Sequence, residues 1–345
     1  MTRHRAQTAP LHFVPLPACL AVTGAGLVAV MLIAIGVGSV SVPLGEVWRV
    51  IGSHVLGGTA TADPVSEQIV WDFRVPRVLL AALCGAGLAV AGVLLQALIL
   101  NPLAEPYVLG LVPGASVGAV LVITVGAGVV GGLSASSAAF AGAMLAGAAV
   151  FALGRAAPAR LVLSGVAVGY VFLAATSYLQ LQANPGDLRQ VMFWLMGSVA
   201  GARWDQLGLV TAVVIAATAA VLLAGRRVNA LVTGDETATA LGVDVRRTRL
   251  LLLVLAALLT GTVCAVAGGI SFVGLMVPHV TRLAFGVDHR RVLPLSALLG
   301  AAYLVLVDLL SRTVDAPNEL PIGIFTAAFG APFLIWLMRR DRTES

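Results

Sequence analysis

Residues 226–249, RRVNALVTGDETATALGVDVRRTR, form the longest polar interval in the second half of the chain, with apolar segments of membrane-spanning length on both sides. Five arginines frame the interval: Arg226 and Arg227 in front, and Arg246, Arg247 and Arg249 behind. Thr233 and Glu236 have the spacing of a capping box and Gly242 suits a C-terminal stop, which predicts a helix of about two turns between them. No soluble core exists nearby for such a helix to join. Two readings stay open on these residues alone. One is an ordinary cytoplasmic loop with a helical turn. The other is a docking element that receives force from a partner.

Working outward, composition decides the class. Hydrophobic residues make up 59% of the 345, charged residues 11%, and the mean hydropathy is +1.00. A soluble chain carries about a quarter charged side chains. Apolar segments of about 20 residues recur, the length that crosses the hydrocarbon core of a bilayer. The expected fold is therefore an all-α, polytopic membrane protein. The net charge of +5 is spread in short arginine clusters between apolar runs, a topological pattern that gives no reason to expect nucleic acid as a partner. All 21 basic residues are arginine. Without lysine the chain has neither a Walker A phosphate loop nor a Schiff-base amine, so it cannot be a conventional ATPase by itself. Cys19, Cys84 and Cys264 lie in apolar surroundings without pairing or ligand spacing and read as small buried hydrophobes.

Ten crossings are expected, at 17–40, 74–98, 105–125, 134–154, 161–182, 205–225, 248–268, 273–287, 292–311 and 320–338. They form one permease-sized domain over the whole chain, with 228–247 as its cytoplasmic segment. Arginine placement tests this number. One side collects Arg3, Arg5, Arg155, Arg160, Arg226, Arg227, Arg246, Arg247, Arg249, Arg282, Arg290, Arg291, Arg339, Arg340 and Arg342. The other holds Arg49, Arg74, Arg77, Arg189, Arg203 and Arg312. The 15 to 6 split implies that both termini are cytoplasmic. A faint internal repeat is also visible: Ala89–Gly92 recurs as Ala265–Gly268, and at the same offset Gly85 matches Gly261, Pro102 matches Pro278 and Gly110 matches Gly286. The second and seventh spans are five apart, so the copies would run in opposite directions, as in inverted-repeat transporters.

Ion-coupled transport needs ionisable groups deep in the bilayer, and the expected spans are almost free of them. Asp308 has Arg312 one turn away, the spacing of a structural ion pair. Glu105 sits beside the Pro102–Pro106 break, where a solvated or capping role is expected. His279 follows Pro278 as a hydrogen-bonded packing residue. What remains inside is small or neutral polar, and Gln96, Ser164, Thr176, Ser177 and Gln180, with Ser116 and Gln182, are the candidates for lining a path. Such a lining suits a bulky solute passed without tight coordination and supplies no energy. The chain offers no cluster with catalytic or metal-ligand spacing.

Longer motifs then become recognisable. RVPRVLLAALCGAGLAVAGVLLQALILNPLAEPYVLGLVPGASVGA (74–118) resembles the FecCD-type permeases of bacterial ABC importers for iron–siderophores, haem and cobalamin. So do RLVLSGVAVG (160–169), ATALGVDV (238–245), ISFVGLMVPHVTRLAFGVDHRRVLP (270–294) and ELPIGIFTAAFGAPFLIWLM (319–338). The resemblance implies a cobalamin-permease-like fold and a place in the bacterial cytoplasmic membrane. It also implies a second permease subunit (the same chain or a close paralogue), two separate ATPase subunits that use ATP and Mg, and an extracytoplasmic solute-binding protein. No cofactor is expected on this chain. The family's docking segment maps onto Thr233, Gly234, Asp235, Glu236, Thr237, Ala238, Thr239, Ala240, Leu241, Gly242 and Val243, ending at Val245. Its outer arginines, which meet acidic residues of the binding protein, match Arg74, Arg77 and Arg312. Iron–siderophore is the first substrate class that the resemblance suggests, with haem and cobalamin behind it. A self-powered, ion-coupled carrier is the remaining alternative.

Overall fold

The computed structural model describes residues 14–38, 40–56, 63–154 and 157–341, and among them every regular element is helical. Arg3, Arg5, Arg155 and Arg342 of the sidedness argument lie outside the described residues. In chain order the elements are α1 (Leu16–Gly36), α2 (Leu44–Leu56) and α3 (Pro64–Glu67), which continues through a π-helical turn, Gln68–Arg74, into α4 (Val75–Ile99). Then come α5 (Leu111–Val125), α6 (Ala135–Gly154), α7 (Pro158–Gln182), α8 (Pro185–Met196) and α9 (Trp204–Leu223). The remainder are α10 (Gly225–Leu231), α11 (Asp235–Ala240), α12 (Val245–Ala267), α13 (Val273–Phe285), α14 (His289–Ser311) and α15 (Ile322–Asp341). Among the described residues eight helices are long and apolar enough to cross a membrane, while α5 and α13 are shorter apolar helices.

The short helices have local causes. Helix is expected from residue 105, yet α5 begins only at Leu111, because the chain first has to turn. Leu100 ends α4 in the left-handed region, the Asn101 side chain accepts the Leu103 N–H at 2.9 Å, and Gly110 enters α5 at φ +72°. α13 likewise starts from a left-handed residue, Phe272, and stops before Gly286 at φ +90°. Both starts lie part-way along the bundle. Gly110 touches the α7 backbone at Gly165 and Gly169, and Gly274 of α13 faces Gly92 inside α4. The first span ends at Gly36 rather than at 40, since Val37 is already extended.

α4 is buried along nearly its whole length and is the axis of the core. Its faces are smooth: a Cβ on Gly85 would overlap the Gly300 carbonyl of α14, and one on Gly92 would overlap the Gly274 carbonyl of α13. Small residues let helix backbones meet where lipid gives no hydrophobic drive for association.

The two halves follow one packing scheme. α4 lies on α14 and α13, while α12 lies on α6 and α5; α5 joins α6 and α7 as α13 joins α14 and α15. Each half thus lends its first long helix to the other, as an inverted repeat does. The matched residues at offset 176 do not all coincide in this scheme. Pro102 is in a turn but Pro278 is inside α13, and Gly110 precedes a helix while Gly286 follows one. Turns of unequal length shift the register, so the architecture repeats where the residue spacing does not.

Three tryptophans gather at one end of the bundle. Trp71 stacks on His54 with centroids 4.1 Å apart and meets Trp204 at a tilt with centroids 4.7 Å apart, and the Trp204 indole donates to the Trp71 carbonyl at 2.9 Å. Trp194 of α8 adjoins Gly268 at the same end of α12. α10 and the starts of α12 and α14, all rich in arginine, occupy the opposite end together with α11, which has none.

Candidate functional site

Three places carry the residues singled out by the sequence. The first is a cavity between α5, α7, α8 and the segment 269–271. About 190 Å³ is lined by Tyr107, Pro113, Ser116, Leu173, Thr176, Gln180 and Ser271 among others, and a neighbouring space of about 250 Å³ shares Tyr107, Pro113 and Leu173 with it. No ionisable side chain other than the Tyr107 and Tyr170 phenols lines either space. Thr176 and Gln180 therefore lie on the cavity wall. Ser177 is exposed beside them on α7, its hydroxyl returned to the Leu173 carbonyl at 2.9 Å. Gln96 and Ser164 line neither cavity. Gln96 is buried, with its amide on the Gly274 carbonyl at 3.1 Å and its oxygen taking a 2.6 Å bond from Arg282. It closes the α4–α13 contact and leaves no donor free for a solute. The Ser164 hydroxyl donates to carbonyls of α6 and of its own helix.

Ser271 and Tyr107 are lining residues that the sequence reading missed. Both sit in irregular backbone just before a short helix, where no hydrophobic period assigns a direction to a side chain. Glu105 has a capping role and is buried rather than solvated: its carboxylate accepts the Phe272 N–H at 2.9 Å, ahead of α13. His279 meets the Phe333 ring edge-on at 5.8 Å.

The second place is at the tryptophan end. Arg74, Arg77 and Arg312 line one cavity of about 300 Å³ together with Glu319. The sequence suggested free outer arginines, but all three are buried. Arg74 donates to the carbonyls of Ile35, Gly36 and Val40, tying α1 to α4. Arg77 donates to Asp308 at 2.9 Å and to Glu319 at 2.7 Å. Arg312 donates to the Ala34 carbonyl and lies 3.5 Å from Asp308. The expected Asp308–Arg312 pair is present, though Arg77 is the nearer partner. Three guanidinium groups thus meet two carboxylates, a formal excess of one positive charge.

The third place is the polar interval. It folds as two short helices rather than one. Thr233 does not cap α11: its hydroxyl donates to the Ala230 carbonyl at 2.8 Å and closes α10, and Gly234 makes the turn at φ +107°. Gly242, at φ +78°, stops α11 as its sequence position suggested. Only Ala238 of α11 is buried, whereas Glu236, Thr237, Thr239, Ala240, Leu241 and Gly242 are exposed. Asp235 is bound in a two-pronged fork by Arg249 of α12, at 3.0 and 2.7 Å.

Comparison with known proteins agrees with this anatomy. The FecCD transport family matches residues 26–340. The ABC transporter permease protein YvrB of Bacillus subtilis (strain 168) is 42% identical over 321 residues, covering 90% of this chain and 91% of that protein. The cobalamin import system permease protein BtuC of Halobacterium salinarum is 44% identical over 278 residues, covering 79% and 74%. A solved structure, described as an inward-facing conformation of a metal-chelate type ABC transporter, superposes with a TM-score of 0.82 at 31% identity, covering 94% of this chain and 99% of that one.

Proposed function

The chain belongs to the FecCD transport family of ABC-importer permeases, and from that premise we propose that it carries an iron–siderophore chelate across the bacterial cytoplasmic membrane. Both termini face the cytoplasm in this reading, and the tryptophan end faces outward. The observation that carries it is the α5–α7 cavity. Its wall is apolar with neutral hydroxyls and amides, which suits a large chelate that already satisfies its own metal. Nothing in that wall couples to a proton or sodium gradient, so the work comes from two ATPase subunits that bind ATP and Mg; this chain needs no cofactor.

α11 is the element those ATPases grip, through its exposed surface from Glu236 to Gly242. The Arg74–Arg77–Arg312 cavity receives one acidic side chain of an extracytoplasmic binding protein. Because the guanidinium groups are buried, the carboxylate must reach in to them. A second permease subunit, the same chain or a paralogue, covers the bare apolar face of α7 around Tyr170, Val171, Tyr178 and Leu181. Lipid covers the rest of the belt.

The named function of the Halobacterium relative supports cobalamin as a second substrate, and haem is a third. One experiment separates them. The permease, purified with its ATP-binding subunit and reconstituted with its binding protein, is offered labelled iron–siderophore, haem or cobalamin with and without ATP. ATP-dependent uptake of the siderophore complex alone is expected. Uptake of cobalamin or haem instead would replace the substrate, and uptake without any ATPase would replace the function.

A further inference from the structure

α11 is only six residues long and nearly all exposed, so few links can carry a force from it into the membrane. Ala238 is its one buried side chain, Val243 donates to the Ala238 carbonyl at 3.0 Å, and Asp244 caps α12 by accepting the Arg247 N–H at 2.9 Å. Those links bind the segment to itself and to the very start of α12. The Asp235–Arg249 fork differs from them. Arg249 lies beneath α11 with 4% exposure, and both prongs end on one carboxylate. A planar guanidinium held at two points resists rotation as well as stretching, which a single hydrogen bond does not.

What lies beyond Arg249 makes this stiffness matter. α12 runs 23 residues without a proline, about 34 Å of unbroken helix. At its far end Gly268 turns the chain at φ +72°, and Gly269, Ile270 and Ser271 form part of the cavity wall. The Ala267 carbonyl also takes the Ser198 N–H at 2.8 Å, and Gly269 donates to Trp194 at 3.2 Å, so the end of α12 carries the segment after α8 with it. A displacement of α11 thus has a continuous rigid route to the cavity.

Resting on the reading of α11 as the ATPase-gripped element, we propose that the Asp235–Arg249 fork is the joint that turns movement of α11 into movement of α12 and of the cavity wall at Ser271. Asp235 and Arg249 are positioning residues; neither touches the solute.

The test uses the permease with its copurifying ATP-binding subunit in lipid nanodiscs and a single reporter, Ser271→Cys. The three native cysteines are buried and give little background. The rate of thiol modification by a water-soluble maleimide is read with and without ATP and vanadate. The reporter protein should show a nucleotide-dependent change. Asp235→Asn and Arg249→Lys should each shrink that change about tenfold, the scale of losing a charge-assisted hydrogen bond, and in Arg249→Lys, outside the docking segment, ATP hydrolysis and copurification should persist. Asp235→Glu, which keeps two acceptor oxygens, should retain it. An undiminished change in Asp235→Asn or in Arg249→Lys overturns the proposal, as does loss of copurification in Arg249→Lys, which would assign the pair to holding the partner. The reading of α11 fails differently: the reporter protein would then show no change before any fork residue is altered.

Discussion

Arg77 and Asp308 stand 231 residues apart in sequence and 2.9 Å apart in space, and Asp308 has no exposed surface at all. The pair fastens the start of α4 to the end of α14, and Arg312 adds a second positive charge at 3.5 Å. Removing one member of a buried pair leaves an uncompensated charge, which costs about 3–5 kcal/mol. Asp308→Asn should therefore lower the thermal midpoint of the detergent-solubilised protein markedly. An unchanged midpoint would mean that solvent reaches the site.

Glu319 binds the same Arg77 at 2.7 Å but is 45% exposed. It shares the cavity proposed for a partner's carboxylate and partly offsets its charge. Glu319→Gln should tighten association of the acidic binding protein about threefold at low ionic strength, the scale of an exposed pair, with the gain fading in high salt. Reversing Arg77 is a poorer experiment, because it also breaks the pair with Asp308. Weaker association of Glu319→Gln, measured by surface-immobilised binding, would argue against a carboxylate entering here.

Leu241 is 66% exposed at the end of α11, with Ala240 beside it. An exposed apolar side chain on a helix this short contributes little to the fold. Leu241→Asp or Ala240→Asp should leave the melting curve of the isolated permease within about 0.5 kcal/mol of the parent yet abolish recovery of the ATP-binding subunit on affinity purification. Full recovery would remove α11 as the gripped element.

Gly85→Ala places a methyl group into the Gly300 carbonyl, and neither backbone has room to yield. Overpacking at such a point costs about 1–3 kcal/mol. Gly24→Ala in α1 meets nothing within 4 Å and should be silent. Comparing the two by thermal unfolding separates the contact from the general helix preference for alanine, and equal behaviour would dismiss the contact.

Asp288 links α10 to α14 by accepting from the Asn229 amide at 2.7 Å and from the Arg290 N–H at 2.9 Å. Burial alone would raise its carboxyl, but those hydrogen bonds and the charge of Arg290 outweigh it and hold the group below its ordinary value of 3.8. A depressed acid contributes stability above its ordinary value and loses it as pH falls through the lowered one. Unfolding curves between neutral and strongly acid pH should show this increment in the parent and not in Asp288→Asn. Parallel curves would exclude it.

The membrane class, the reversal of the second half and the place of α11 were legible in the sequence because each is written in local order: runs of apolar residues, breaks at proline and glycine, clusters of arginine. Thr176 and Gln180 were legible for the same reason, as polar positions on one face of α7. Gln96 was not, since its role depends on Arg282 and on the Gly274 carbonyl, far along the chain. Arg74, Arg77 and Arg312 were half legible. They line one cavity, but the ties to Ile35, Gly36, Ala34 and Asp308 arise only when α1 and α14 close over α4. Thr233 and Glu236 misled because a capping pattern assumes that its first residue is the cap, whereas Gly234, one residue later, takes that position.

α4 meets α14 and α13 backbone to backbone at Gly85–Gly300 and Gly92–Gly274, and side chains pin the same two seams, Arg77 on Asp308 and Gln96 on Arg282 and the Gly274 carbonyl. Prising these seams open would strip the close contacts and leave grooves for lipid to fill, and sliding along them would tear the pins. α4, α13 and α14 should therefore travel as one block, with any relative motion falling at its borders.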